Sequence, residues 1–188
     1  EIIQWLIQDD NCISCDYNWQ CRAFVSAACG GHLDLIIWLN NNGYLKYYAQ
    51  YMYGATKYGH NNVLQWMKDN IYWNSSNFNT LYDAAILSGS METIKFVKSL
   101  FSFCDSDVNV AIANLQHSEI YISHAANTGN LDIINYVYNS GCKKMNADAY
   151  EHPASNGNVN MLKWLKEHNC PSYGQYDPYC ISAAINGH

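Results

Sequence analysis

The segment AACGGHLDLIIWL at residues 27–39 recurs along the chain without gaps. Its other copies are ATKYGHNNVLQWM at 55–67, AILSGSMETIKFV at 85–97, AANTGNLDIINYV at 125–137 and PASNGNVNMLKWL at 153–165. The chain also opens with EIIQWL, which matches the end of this unit, and closes with AAINGH, which matches its beginning. Small, glycine, aliphatic and aromatic positions recur together, so the sequence predicts a repeat architecture.

Each repeat contains one glycine that serves as its reference position. These glycines follow one another at steps of 28, 30, 40, 28 and 30 residues: Gly31, Gly59, Gly89, Gly129, Gly157 and Gly187. Small residues before the glycine predict a first helix that approaches its neighbours closely, and the glycine supplies the left-handed backbone that ends it. Apolar residues two, four, five and eight positions later have helical spacing and predict a second helix. Each repeat is therefore expected to be a helix pair around a tight turn.

These residues resemble the ankyrin repeats, whose consensus has an Ala-Ala pair followed by Gly-His-Leu-Asp/Glu and aliphatic residues. GHLD at 31–34 matches that consensus closely. KWL at 163–165, NCP at 169–171 and GC at 141–142 resemble a divergent branch that is common in large DNA viruses of amoebae. The resemblance covers essentially the whole chain, and it implies an all-α fold, an ankyrin-like solenoid of stacked helix-turn-helix repeats.

Two features depart from ordinary ankyrin repeats. The Thr-Pro-Leu-His opening of the first helix is missing, and the slot of its histidine, six residues before each glycine, holds Val25, Tyr53, Asp83, Ser123 and Glu151. The repeats are also shorter than the usual length of about 33 residues, so we expect loops with few or no regular strands. The long step of 40 residues predicts an insertion at about 102–117, either functional or a degenerate unit.

The repeat register predicts one array over residues 1–188. It has a half-unit at 1–15, units at about 16–43, 44–72, 73–104, 118–142 and 143–171, and a half-unit at 172–188. Terminal repeats normally carry polar caps, and neither half-unit has one. We therefore expect a fragment of a longer array, or association through the repeat ends.

Composition argues against several classes of protein. The 188 residues include 10 Lys and Arg against 16 Asp and Glu, which gives a net charge of −6. Nucleic acids and anionic membranes attract clustered basic residues, so neither is expected as a partner. No apolar run approaches the roughly 18 to 20 residues that span a bilayer, and the N-terminus does not resemble a secretory signal. We expect an intracellular, cytoplasmic protein, in the host cytoplasm or the virion if it is viral.

The eight cysteines raise the question of a metal site. Cys12-Ile-Ser-Cys15, with Cys21, Cys29 and His32 downstream, invites a zinc interpretation, because thiolates at this spacing chelate the metal tetrahedrally. However, Cys12 occupies the same repeat slot as Cys142 and Cys170, so the repeat already explains it. We expect structural thiols in a reducing compartment and no metal or cofactor.

Catalysis has weak support in the sequence. His117 and His124, with Glu119 nearby, could act as acid and base partners, but His124 falls on a helix that is expected to be packed. No nucleophile, phosphate loop or Gly-x-Ser-x-Gly turn accompanies them. We expect no enzymatic activity.

The aromatic residues form two groups. One group lies seven positions after the repeat glycine or its equivalent, and we expect it to be stacked core: Trp5, Trp38, Trp66, Phe96, Tyr136 and Trp164. The other is a tyrosine cluster outside that register, which is the best candidate contact surface because tyrosine is enriched at interfaces: Tyr44, Tyr47, Tyr48, Tyr51, Tyr53 and Tyr58.

The resemblance implies a protein–protein interaction module, a scaffold or adaptor without catalysis. In ankyrin-like arrays a protein partner usually binds the concave face, formed by first helices and inter-unit loops. On this chain that face would include the variable residues before the glycines and nearby loop residues: Trp19, Tyr47, Lys57, Tyr58, Asn127, Thr128, Met145, Ser155 and Asn156. The alternative is a structural component of a larger scaffold or virus particle that associates through its repeat ends.

Overall fold

A computed structural model describes residues 17–44, 49–70, 78–101, 118–174 and 178–188. Throughout these ranges the regular structure is helical and no strand is present, which confirms the all-α prediction for them. None of the helices is long and apolar enough to cross a membrane, within the same ranges. The half-unit at 1–15 and the insertion at 102–117 lie outside the described residues.

The chain divides into two compact units, Glu1–Ile71 and Tyr72–His188. Unit 1 contains α1 (Tyr17–Cys29), α2 (Leu33–Asn41), α3 (Ala49–Lys57) and α4 (Asn61–Asn70). The boundary falls between two predicted repeats. How the repeats continue from one unit to the next stays a prediction.

The described residues of unit 2 form four first helices and three second helices. The first helices are α5 (Phe78–Leu87), α7 (Ser118–Asn127), a 3₁₀ turn (Ala147–Tyr150) that leads directly into α9 (Glu151–Ser155), and α11 (Pro178–Ile185). The second helices are α6 (Met91–Phe101), α8 (Leu131–Asn139) and α10 (Val159–Glu167). Each first helix contacts the next one in order, α5 with α7, α7 with α9, and α9 with α11, while each second helix packs on its own first helix. The first helices thus form a continuous layer within unit 2.

The repeat glycines form the turns as predicted. All six have a positive φ, between 65° and 79°. At Gly31, the amide of His32 donates to the carbonyl of Ala27 at 2.9 Å, and the glycine amide donates to Ala28 at 3.3 Å. This pair of bonds is the Schellman motif that ends a helix, and a residue with a Cβ adopts the required conformation at a cost.

Burial follows the repeat register. On the first helices the positions three, four, seven and eight before the glycine are mostly buried. Positions three and four are mostly small residues, as with Ala126 and Ala125, which are 1% and 0% exposed. On the second helices the positions four, five and eight after it are mostly buried, as with Ile133, Ile134 and Val137. Alanines therefore lie where adjacent first helices approach each other.

The aromatic position on the second helices differs from its prediction as stacked core. Only Trp164 is buried, at 7% exposure, whereas the other members in the described residues are half-buried. At about 100° per residue, position seven lies about 60° further round the helix than position four. It therefore falls at the edge of the buried stripe, as does position two, where Val159 is 56% exposed.

Aromatic contacts also join adjacent first helices. The residue seven before one glycine meets the residue eight before the next, with ring centroids 4.3 Å apart for Phe24 and Tyr51 and 5.5 Å apart for Tyr82 and Tyr121. Tyr150 and Tyr179 repeat the arrangement at 6.4 Å. This contact occurs once in unit 1 and twice in unit 2, so it is a recurring element of repeat stacking.

Candidate binding surface of the first helices

The predicted contact residues of unit 1 are only partly described. Lys57 ends α3 and is exposed, and Tyr58 follows it with 59% exposure. Trp19 lies in α1, but its side chain is outside the description, as is all of Tyr47.

The tyrosine cluster does not form one surface. Tyr51 is 1% exposed and packs on Phe24. Tyr44 is half-buried, with its ring centroid 5.9 Å from that of Trp38. Tyr51 is thus a core residue, and the expectation that it belongs to a contact surface was wrong.

The predicted contact residues of unit 2 lie at the turns and in one loop. Asn127 and Ser155 end α7 and α9 and are half-buried, while Asn156 is exposed and Met145 is half-buried in the loop before the 3₁₀ turn. The Thr128 hydroxyl donates to the carbonyl of Ala125 at 2.7 Å and accepts from the amide of Asn130 at 3.2 Å. Thr128 therefore helps to build its own turn.

We define the first-helix surface as the solvent-facing side of α5, α7, the 3₁₀ turn and α9. It is formed by residues at positions two, five, six and nine before the glycine, opposite the buried stripe, that are at least partly exposed, and they include Asp83, Ile120, His124, Asn127, Asp148, Glu151, His152 and Ser155. Glu119, one position before Ile120, is exposed at the start of α7 and borders this surface. Ile120 is 38% exposed and supplies aliphatic area among polar neighbours. This surface combines carboxylate, imidazole, amide and aliphatic groups along a rigid helical layer.

Polar bonds tie adjacent first helices together beside this surface. Nδ1 of His124 on α7 lies 2.5 Å from Oδ1 of Asp83 on α5, and both side chains are about a quarter exposed, at 26% and 25%. The hydroxyl of Ser123 donates to Oδ1 of Asn146 at 2.7 Å. Asp83 and Ser123 both occupy the slot six before the glycine, so this slot carries contacts between repeats.

A cluster of tyrosines and carboxylates borders the surface at the 3₁₀ turn. The hydroxyls of Tyr173 and Tyr179 donate to Oδ1 of Asp148 at 2.9 and 3.4 Å, and the two ring centroids are 5.8 Å apart. Tyr173 is 56% exposed, whereas Tyr179 is 8% exposed. The hydrogen bond to Asp148 and the negative charge of that carboxylate raise the pKa of Tyr173. We name Asp148, Glu151, Tyr173 and Tyr179 the Tyr–Asp corner.

The lysines of unit 2 lie outside its first helices. The first helices carry four carboxylates, on Asp83, Glu119, Asp148 and Glu151, and no lysine or arginine. All lysines of this unit lie on α6, on α10 or in the loop after α8. Some of them lie over tyrosines, as with Lys98 Nζ at 5.5 Å from the Tyr136 ring and Lys143 Nζ at 5.3 Å from the Tyr138 ring.

No metal centre is assembled in the described part of the chain, and the hypothetical catalytic pair of His117 and His124 is described only at His124. No three His, Cys, Asp or Glu side chains lie close enough there to hold a metal ion. The cysteines whose side chains are described, Cys29, Cys142, Cys170 and Cys180, are free. Cys12 and Cys15 lie outside the description, and so does His117.

The last helix of unit 2 borders a separate apolar feature. Ile181 and Ile185 on α11 are 65% and 79% exposed. An open cavity of about 610 Å³ lies beside this helix, lined by residues that include Leu162, Lys166 and Cys180. We call Ile181 and Ile185 the end patch.

Comparison of the whole chain with protein-family models, with curated proteins and with solved structures gives no significant match.

Proposed function

We propose that the chain is an ankyrin-like repeat solenoid that acts as an intracellular scaffold or adaptor, of the kind found in large DNA viruses of amoebae. Its first-helix surface binds a protein partner without catalysis. The observation that carries this proposal is the layer of stacked first helices in unit 2. That layer presents exposed polar and aliphatic side chains over three successive repeats, and repeat stacking produces extended surfaces suited to protein partners.

The packing of the layer supports the same function. Aromatic and polar contacts join α5 to α7, through Tyr82 with Tyr121 and Asp83 with His124. The hydrogen bond from Ser123 to Asn146 joins α7 to the following repeat. A surface that is rigid before binding loses less entropy when a partner docks. Variation of the outward-facing residues then changes the partner without disturbing the fold.

Affinity capture with matched surface variants tests this function. Ile120→Arg with Ser155→Arg places two bulky cations on the first-helix surface, and Val159→Arg with Asn160→Arg makes the same charge change on α10. The wild type and the α10 variant should capture the same protein in a fixed ratio, while the first-helix variant should lose most of it. Circular dichroism should show equal helix content in all three proteins. Equal capture by both variants would argue against the first-helix surface.

A structural role through the repeat ends is the second candidate function. The end patch favours it, since Ile181 and Ile185 are exposed aliphatic side chains on one helix and exposed apolar surface marks contact sites. In this case light scattering should show mass increasing with concentration, and Ile185→Glu should abolish the increase. Val159→Glu, which makes the same change at an exposed site on α10, should leave it intact. A concentration-independent mass in the wild type excludes this role.

A further inference from the structure

We propose that the partner segment bound by the first-helix surface is basic, and that one of its lysine or arginine side chains lies against Tyr173 in the Tyr–Asp corner. This inference rests on the proposed function, because it names the chemistry of the partner that the same surface binds.

The first argument is charge complementarity. The first helices of unit 2 carry carboxylates without any lysine or arginine. Asp83 contacts His124, and in the described part of the chain no lysine or arginine lies within salt-bridge distance of Glu119 or Glu151. A surface with one sign of charge attracts segments of the opposite sign and repels segments of the same sign. The fitting partner is therefore a segment rich in lysine and arginine.

The second argument is the geometry of the Tyr–Asp corner. Asp148 already accepts hydrogen bonds from Tyr173, from Tyr179 and from Nδ2 of Asn146 at 3.1 Å, so it holds both tyrosines in place. Tyr173 is 56% exposed, and the exposed Glu151 lies near enough to act electrostatically on its hydroxyl. A cation over the face of an aromatic ring is attracted by it, and a neighbouring carboxylate adds to that attraction.

The third argument comes from a comparison within the chain. Tyr136 and Tyr138 on α8 have lysines of unit 2 over their rings, at 5.5 and 5.3 Å. In the ranges that the structure describes, no lysine or arginine lies over the Tyr173 ring. The chain therefore pairs tyrosine with cations on its second helices, whereas no cation of the described residues is paired with Tyr173. A cation from a partner supplies the missing half of that pair.

Fluorescence anisotropy with two designed probes tests the inference on the 188-residue chain. The basic probe is a labelled peptide of four Arg-Leu-Ser units, and its control has Glu in place of every Arg. We expect the basic peptide to bind more tightly at low salt and more weakly as salt rises, because exposed charges are screened. The acidic peptide should bind at least about tenfold more weakly.

Two sets of variants locate the binding site of the probe. Glu119→Gln with Glu151→Gln should weaken binding of the basic peptide by about tenfold, because two exposed charge pairs with the peptide are lost. Glu92→Gln with Glu167→Gln removes the same charge from the second helices and should change it less than about twofold. Tyr173→Ala should weaken binding by about threefold, while Tyr173→Phe, which keeps the ring, should retain most of it.

The failure of this inference is distinguishable from the failure of the proposed function. Equal binding of the two peptides, or equal weakening by the two pairs of glutamine variants, overturns the basic partner. If a captured protein is lost with the first-helix arginine variant but unaffected by Glu119→Gln with Glu151→Gln, the surface binds a partner that is not basic. Loss of the captured protein with both variants, together with tight binding of the basic peptide, supports the inference.

Discussion

Asn158 joins two repeats, and its replacement by alanine should cost more stability than the same change at a simple helix cap. Its Oδ1 accepts from the amide of Met161 at 3.1 Å, which caps α10, and its Nδ2 donates to the carbonyl of Gly129 in the preceding repeat at 3.1 Å. Asn130 occupies the equivalent slot, and its side chain caps α8 through the amide of Asp132 at 2.8 Å. The two asparagines thus share the cap but differ in the bond between repeats.

The expected magnitudes follow from these bonds. Loss of the cap costs about 1 kcal/mol at either site, and loss of the hydrogen bond to Gly129 costs about 1 kcal/mol more. Asn158→Ala should therefore lower the free energy of unfolding by about 2 kcal/mol and Asn130→Ala by about 1 kcal/mol. In urea, where the slope for small proteins is about 1 to 3 kcal/mol per molar, the two midpoints should differ by about half a molar.

Urea unfolding followed by circular dichroism measures this difference. Equal midpoints for the two variants would refute the assignment of a stabilising bond between the repeats. A larger loss of unfolding free energy for Asn130→Ala than for Asn158→Ala would refute that assignment more strongly, because the hydrogen bond to Gly129 would then contribute nothing to stability.

Two further predictions concern unit 2. Gly157→Ala and Gly89→Ala should each lower the free energy of unfolding by about 1 kcal/mol, because alanine adopts the left-handed backbone at a cost. Thermal unfolding should show a larger loss of stability for Gly157→Ala, since its Cβ would lie 2.6 Å from the His188 ring whereas nothing lies within 4 Å of a Cβ at Gly89. Equal losses would contradict that contact. Burial raises the pKa of Cys142 to about 12. At pH 8 an alkylating reagent should therefore modify the exposed Cys180 of the native protein and should modify Cys142 only after urea is added. Mass spectrometry after alkylation checks this, and early labelling of Cys142 would contradict its burial.

The fold within each unit could be predicted well from local pattern. Glycine at a fixed place between a small-residue segment and an aliphatic one dictates a helix end, and the backbone at Gly31 has the expected conformation and bonds. The aliphatic spacing correctly predicted the second helices. These features depend on residues close in sequence, which is why periodicity was sufficient.

The contacts between repeats were harder to predict. The pairing of Phe24 with Tyr51 and of Tyr82 with Tyr121 depends on two adjacent slots of successive first helices. The aromatic residues in those slots can be read from the sequence, but the local sequence pattern does not show which of them contact each other. Tyr51 was consequently assigned to a surface, although its slot makes it core.

The candidate surface depends on still longer contacts. His124 and Asp83 are separated by 41 residues, and Tyr173 reaches Asp148 across 25 residues from a loop of irregular structure. Periodicity placed Asp83 and Glu151 in one slot but could not show that a tyrosine from a following loop lies beside them. Sorting charge by repeat layer is a signal that would have found the acidic first helices.

Hydrogen–deuterium exchange of the protein, alone and with its captured partner, locates the binding surface. Binding through the first-helix surface should slow exchange in α7, the 3₁₀ turn and α9, while the exchange of α6, α8 and α10 is unchanged. Slower exchange confined to the second helices, or to α11 alone, would contradict binding through the first-helix surface.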